Sequence, residues 1–154
     1  VPQKRERVFF IGLRKDIKRK PLKLDFNEKP IKFGELEGGR LGQPITGGML
    51  KYWGLTGEGQ SLSKSHPKGN YFGSIKISRN TVCNTIIASD SSPLLHYSKP
   101  NYLSKEDISC IGTYPQDYNF VALKPKYLIG MSVPPVMTAQ IANQVYNQWL
   151  REAA

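Results

Sequence analysis

The sequence predicts an α/β fold with a small β-rich region in its middle and helical structure confined to its last third. Three observations carry this. Val8–Leu13 reads VFFIGL, a short apolar run of strand formers that suits a buried strand. Residues 34–73 hold eleven of the fourteen glycines, interleaved with Tyr52, Trp53, Tyr71 and Phe72. That mixture predicts loops and short twisted strands rather than helix. Near the C-terminus, Met137, Ile141, Val145 and Trp149 recur every fourth residue, and Ala142 widens the same stripe. This is the pattern of an amphipathic helix that docks on something.

The remaining elements follow in order. Phe72–Ser78 (FGSIKIS) alternates apolar and polar residues, and Val82–Ala88 (VCNTIIA) is similar, so both are expected to be short strands. Ser104 followed by Asp107 forms a capping-box start for a short helix, which Gly112 and Pro115 should end. Ser132 is expected to cap the terminal helix. Pro134 and Pro135 would occupy its first turn, where backbone N–H groups lack partners in any case.

At 154 residues the chain is one domain by length, and its apolar share of 39% is somewhat low for a compact one. The formal charge is +10, and all of the excess lies in the first half. Residues 1–80 carry 17 basic and 7 acidic side chains, whereas residues 81–154 carry 5 of each. A one-sided basic region fits a polyanion partner, because Lys and Arg displace condensed counterions from phosphates. A solvated face that binds nothing is the plainer alternative. No apolar run reaches the roughly 20 residues that span a bilayer, so no membrane partner is expected. Cys83 and Cys110 form no CxxC pair and stand at no ligand spacing with His66 or His96, which argues against zinc and for two reduced thiols.

The opening residues VPQKRER run straight into the apolar stretch. In an extended segment Gln3, Arg5 and Arg7 share one face, and two guanidiniums there can grip a phosphate or a base carbonyl. With its Val-Pro flank, this block resembles the QxRxR motif (motif VIII) of the DNA cytosine-5 methyltransferases. Gly130 to Pro135, GMSVPP, resembles the family's motif X, with Met131 where Asn is usual. Asn101 to Glu106 and Gly112 to Tyr118 resemble motif IX, with Asn101 where Arg is usual. Asn84 to Ala88 resembles the strand that precedes it. The blocks stand in family order across nearly the whole chain. The variable, basic stretch of about residues 15–81 falls where the family places its target recognition domain.

The resemblance implies a C-terminal portion of such an enzyme. Residues 1–14 would be a strand of an S-adenosylmethionine-dependent, Rossmann-like catalytic domain. Residues 15–121 would be the target recognition domain, and residues 122–154 would return to the catalytic domain. In the family the target cytosine is flipped out of the duplex. A cysteine adds to its C6, and a methyl group passes from S-adenosylmethionine to C5. The Pro-Cys nucleophile loop, the ENV block and the glycine-rich cofactor strand are not in this sequence. The implied partners are therefore double-stranded DNA and an N-terminal catalytic part, fused or separate. Gln3, Arg5 and Arg7 would support the flipped-base pocket, with Arg7 at the cytosine O2 edge. Ser132 and Val133 would lie near the cofactor. Arg40, Gln43, Gln60, Lys64, Ser65, His66 and Lys68 are the candidates for reading bases or phosphates. The chain opens inside the first motif, which implies an excerpt or a processed product. The implied setting is a bacterial or phage-encoded cytoplasmic enzyme. Two alternatives stay open: a stand-alone or degenerate duplex-DNA-binding module, and an RNA binder that stacks bases on Tyr52, Trp53, Tyr71 and Phe72.

Overall fold

The computed structural model describes residues 1–151. Its element order is β1 (Leu41–Pro44), α1 (Gly47–Leu55), β2 (Gln60–Ser61), β3 (Ile75–Lys76), β4 (Leu94–Leu95), β5 (Asn101–Leu103), α2 (Lys105–Ile111), α3 (Pro125–Met131) and α4 (Pro135–Val145). Helix α4 runs on into a π-helical turn, Tyr146–Leu150. The strands form one five-stranded sheet in the order β1-β5-β4-β3-β2. The β3–β4 pairing is parallel and the other three are antiparallel. The chain is thus an α/β fold with a mixed sheet of very short strands.

Alternation along the strands gives the sheet two apolar faces. On β4, Leu94 joins a core of Phe33, Ile77, Cys83, Ile86, Leu103, Ile108, Ile111 and Ile129, so this face packs on α2 and α3. Its neighbour Leu95 faces the other way, joining Ile45 and Leu62 under Met49, Tyr52 and Trp53 of α1. Leu103 and Tyr102 divide between the same two clusters. Gly42 lets β1 approach β5, since a Cβ there would lie 2.6 Å from the Leu103 carbonyl oxygen.

Four expectations need correcting. Helix α1 lies inside the glycine-rich segment where no helix was expected. Its Met49, Tyr52 and Trp53 follow the i, i+3, i+4 spacing that puts residues on one helical face. Its C-terminal carbonyls are held from outside, because Lys76 Nζ donates to Trp53 O at 3.2 Å and Thr56 O at 3.0 Å. That ammonium also lies 4.0 Å from the Trp53 ring centroid. A cation at this end complements the helix dipole.

Val8–Leu13 is not a strand. It has no ladder partner among the described residues, and Phe10 is 96% exposed. Strand formers become a strand only against another backbone. Nearby, only Gln3 forms a bridge, parallel to Cys83. For the same reason Val82–Ala88 forms no ladder beyond that bridge, although Cys83 and Ile86 are buried.

Ser132 does not cap the terminal helix, which begins at Pro135 with Pro134 in the N-cap position. A residue before proline is pushed out of the helical region, so Val133 cannot start the helix and Ser132 lies too far ahead to cap it. Ser132 instead ends α3, a helix the sequence reading missed. The capping box of α2 is as expected: Asp107 N donates to Ser104 Oγ at 3.0 Å, and Asp107 Oδ2 accepts from Ser104 N.

One polar node braces the core from within. His96 is buried, and its Nδ1 accepts backbone N–H groups of Ser98 and Lys99, both at 3.2 Å. Those bonds place a proton on Nε2, which donates to Glu37 Oε1 at 2.9 Å. Tyr97 donates its hydroxyl to the same carboxylate. Phe33 closes the cluster edge-on to both rings, with centroids 6.3 Å apart in each case. Phe33→Ala should cost about 3–5 kcal/mol. A thermal melt should show this as a fall of about 10 °C in Tm, at about 2–4 °C per kcal/mol for this chain length.

Candidate functional site

The residues of the QxRxR block separate in space. Gln3 and Arg5 are buried and turn into the molecule, whereas Arg7 is exposed. Gln3 Nε2 donates to Ile111 O, the last residue of α2, at 3.1 Å, and Gln3 Oε1 accepts from Ile86 N. The backbone between them is pinned as well, with Lys4 N donating to Cys83 O at 2.8 Å.

Arg5 makes the widest connection. Its Nη1 donates to Ile86 O at 3.1 Å, and its Nη2 donates to Gly130 O at 2.8 Å and Ser132 O at 2.5 Å. Two of those carbonyls belong to the end of α3, where a helix leaves acceptors unsatisfied and favours a cation. A planar guanidinium reaches diverging acceptors that an ammonium would not. Burial, and secondarily the nearby charge of Arg7, lower the pKa of Arg5 from its ordinary value. Gly130 belongs to the same arrangement: a Cβ there would lie 2.4 Å from Ala88 N. Only glycine lets α3 press this closely on residues 87–88.

Among the described residues Arg7 is bound only to the neighbouring Glu6 carbonyl, at 2.7 Å. It is therefore the member of the block that can reach an outside molecule. The expected shared face holds for Gln3 and Arg5 and fails at Arg7.

Ser132 and Val133 lie close by, both half-buried. The Ser132 hydroxyl donates to Ile129 O at 3.0 Å, and its carbonyl accepts from Arg5. Its hydroxyl hydrogen is thus committed to ending α3.

The seven residues singled out for nucleic-acid contact fall into two groups at opposite edges of the sheet. Arg40 and Gln43 lie at β1, exposed, and Arg40 pairs with Glu106 at 3.0 Å. The other five lie on β2 and the turn after it. Gln60, Lys64 and Lys68 are exposed there. Ser65 Oγ accepts from Thr56 Oγ1 at 2.9 Å. His66 packs on Tyr52, with ring centroids 4.4 Å apart, and its Nδ1 accepts Lys68 N and Asn70 N. Only its Nε2 remains for a ligand. Tyr71 adopts the left-handed backbone (φ 63°), which non-glycine residues rarely do, and the Phe72 beside it is 82% exposed. No spacing in the sequence signals that turn.

Neither cysteine is placed as a nucleophile. Burial pushes the Cys83 thiol up to about 12, partly opposed by a hydrogen bond from the Asn84 backbone. Cys110 is also raised, by burial and then by the Asp107 charge. A protonated thiol is a poor nucleophile. Among the described residues, no cluster of three or more His, Cys, Asp or Glu side chains could hold a metal ion. No helix among them is long and apolar enough to cross a membrane.

No protein-family model, curated protein or solved structure matches the chain.

Arg5→Ala removes a charged donor from three carbonyls. It should cost about 3 kcal/mol, given about 1.5–3 kcal/mol for a single hydrogen bond to a charged group. Urea denaturation of the two proteins should show this, and Arg5→Lys should restore only part of the loss. At pH 8, iodoacetamide should leave Cys83 unmodified in the folded chain and alkylate it promptly in urea, as mass spectrometry would read. Rapid labelling of folded Cys83 would contradict its burial.

Proposed function

We propose that the chain is the DNA-recognition and base-pocket part of a DNA cytosine-5 methyltransferase, with the nucleophile and most of the cofactor site supplied by a separate catalytic part. The observation that carries this reading is the convergence of the motif-like blocks. Gln3 and Arg5 of the first block bond to Ile86 of the strand-like segment, to Ile111 at the end of α2 and to Gly130 and Ser132 of the last block. Blocks that are far apart in sequence but resemble one family in order thus meet at one polar node. A chance basic segment has no reason to spend its two buried polar side chains on those positions.

In this reading the two ends of the chain are pieces of a Rossmann-like catalytic domain. The exposed Val8–Leu13 run, unpaired among the described residues, becomes a strand only when the sheet of the catalytic part supplies its partner backbone. Arg7, bound among the described residues to nothing beyond its neighbour's carbonyl, is free to meet the O2 edge of a flipped cytosine. Val133 sits beside S-adenosylmethionine through its backbone and apolar surface, with Ser132 next to it holding the turn, since the Ser132 hydroxyl and N–H are committed to α3 and its carbonyl to Arg5. On the recognition side Gln60, Lys64 and Lys68 are the exposed members of the larger group, and they take the first share of DNA contact.

The deciding experiment is transfer of labelled methyl from S-adenosylmethionine to duplex DNA, with the chain assayed alone and with a catalytic part that carries a Pro-Cys loop. Activity is expected only in the combination. Transfer by the purified chain alone, or none in any combination, would refute the reading. In the active combination, Arg7→Ala should lower methyl transfer by at least about tenfold more than it lowers duplex affinity, a difference of about 1.4 kcal/mol. Equal losses would make Arg7 an ordinary phosphate contact.

A further inference from the structure

The basic excess of the first half is concentrated on a segment with no regular secondary structure that lies along the terminal helix. Between residues 14 and 23 stand Arg14, Lys15, Lys18, Arg19, Lys20 and Lys23, with Asp16 the lone acid. Their positions divide them by role. Arg14 is neutralised by Asp16 at 2.6 Å. Arg19 is half-buried, and its Nε donates to Trp149 O at 2.9 Å, at the carbonyl end of the terminal helical turn. The helix returns the contact, with Trp149 Nε1 donating to Lys20 O at 2.9 Å. Gln148 brackets Lys23 from both sides, donating to its carbonyl at 2.8 Å and accepting its N–H at 2.9 Å. Further along, Gln140 donates to Glu28 at 2.7 Å, so the segment runs antiparallel to α4.

Lys15, Lys18, Lys20 and Lys23 are exposed, and among the described residues none of them pairs with a carboxylate. Arg19 turns toward the helix, while Lys18 and Lys20 on either side of it stay exposed. The clip fixes the backbone at Lys20 and Lys23, beside Arg19, and leaves the ammonium groups in solvent. Holding four like charges together is unfavourable unless an external anion offsets it, and duplex DNA offers about one phosphate charge per 1.7 Å of axis. Such a dense array demands no exact register.

We infer that residues 15–23 are a phosphate-gripping arm that binds the DNA backbone without regard to sequence, held ready by Trp149 and Gln148 of the terminal helix. The inference rests on the duplex-binding reading above and adds a contact region outside the seven recognition candidates. Because the clip settles the arm's backbone before DNA arrives, less ordering entropy is lost on binding.

The test is fluorescence anisotropy of the whole chain with a short labelled duplex of mixed sequence, titrated at salt concentrations between about 50 and 200 mM. Replacing Lys15, Lys18, Lys20 and Lys23 together by Gln should reduce the slope of log affinity against log salt by about 3–4, at about 0.9 per phosphate contact. Replacing all four by Arg should keep the slope. Trp149→Phe keeps every charge and an aromatic ring but loses the donor to Lys20, and it should weaken binding several-fold at nearly unchanged slope. A duplex-binding chain whose slope and affinity survive the four Lys→Gln changes would overturn the arm alone. A chain that binds no duplex under any of these conditions would overturn the duplex-binding reading itself. Tighter binding to acidic phospholipid vesicles than to duplex, lost in the four-Gln variant, would overturn the arm's assignment to DNA.

Discussion

The structure depends first on the guanidinium of Arg5. Residues 1–7 form almost no secondary structure of their own, yet through this side chain and Gln3 they join three parts of the chain: the segment at Ile86, the end of α2, and the end of α3. The bonding direction explains why a cation is needed. The acceptors are all carbonyls, two of them at a helix C-terminus, so a carboxylate or hydroxyl could not satisfy them together. Gly130 is the steric half of the same constraint, since any side chain there would push α3 off residues 87–88. The two positions are therefore coupled. Loosening either one releases the Gly130–Ser132 carbonyls, and with them the turn that sets the direction of α4.

What the sequence made legible was local. The α2 capping box can be read because both partners lie within one helical turn and need nothing from outside. The α/β class can be read because strand-like and helix-like periodicities occupy different parts of the chain. Elements that depend on distant groups were not legible. Helix α1 is rich in glycine and is held at its end by Lys76, twenty residues beyond it, so composition pointed away from helix while tertiary contact made one. The Val8–Leu13 run shows the opposite error, since its composition favours a strand that no described backbone pairs with. Helix α3 begins at Pro125, a residue well suited to the first helical turn, but its apolar stripe is too short to stand out.

For the candidate site, residue type was easier to read than residue orientation. Alternation along an extended segment correctly put Gln3 and Arg5 on one side. It gave no sign that this side would be the interior, or that the path would change before Arg7. The same limit applies to the recognition candidates. Ser65 and His66 look available in the sequence, but each has a side-chain atom already engaged by Thr56 or by the backbone of residues 68 and 70. Availability is a property of packing, and packing is set by Tyr52 and Tyr71, which come from different elements.

The net charge of +10 also means less as a total than as a distribution. Several of the first-half cations are used internally: Arg5 on carbonyls, Arg19 on Trp149, Lys76 on α1, and Arg14 and Arg40 on carboxylates. Of the twelve that remain, four line the segment along α4 and two the turn after β2, the two places where exposed cations cluster near recognition candidates or the terminal helix. Arg40 and Gln43, at the far edge of the sheet, stand about 19 Å from β2 by four strand spacings of about 4.8 Å. A duplex following one edge of the sheet therefore meets one group of recognition candidates and passes the other. The β2 edge has the larger share of uncommitted groups. In the duplex-binding reading, base discrimination belongs there, and sequence-independent affinity belongs to the arm on the terminal helix. The loop around Tyr71 and Phe72 is structurally independent of the Arg5 node, which lies on the opposite face of the sheet among α2, α3 and the core they cover.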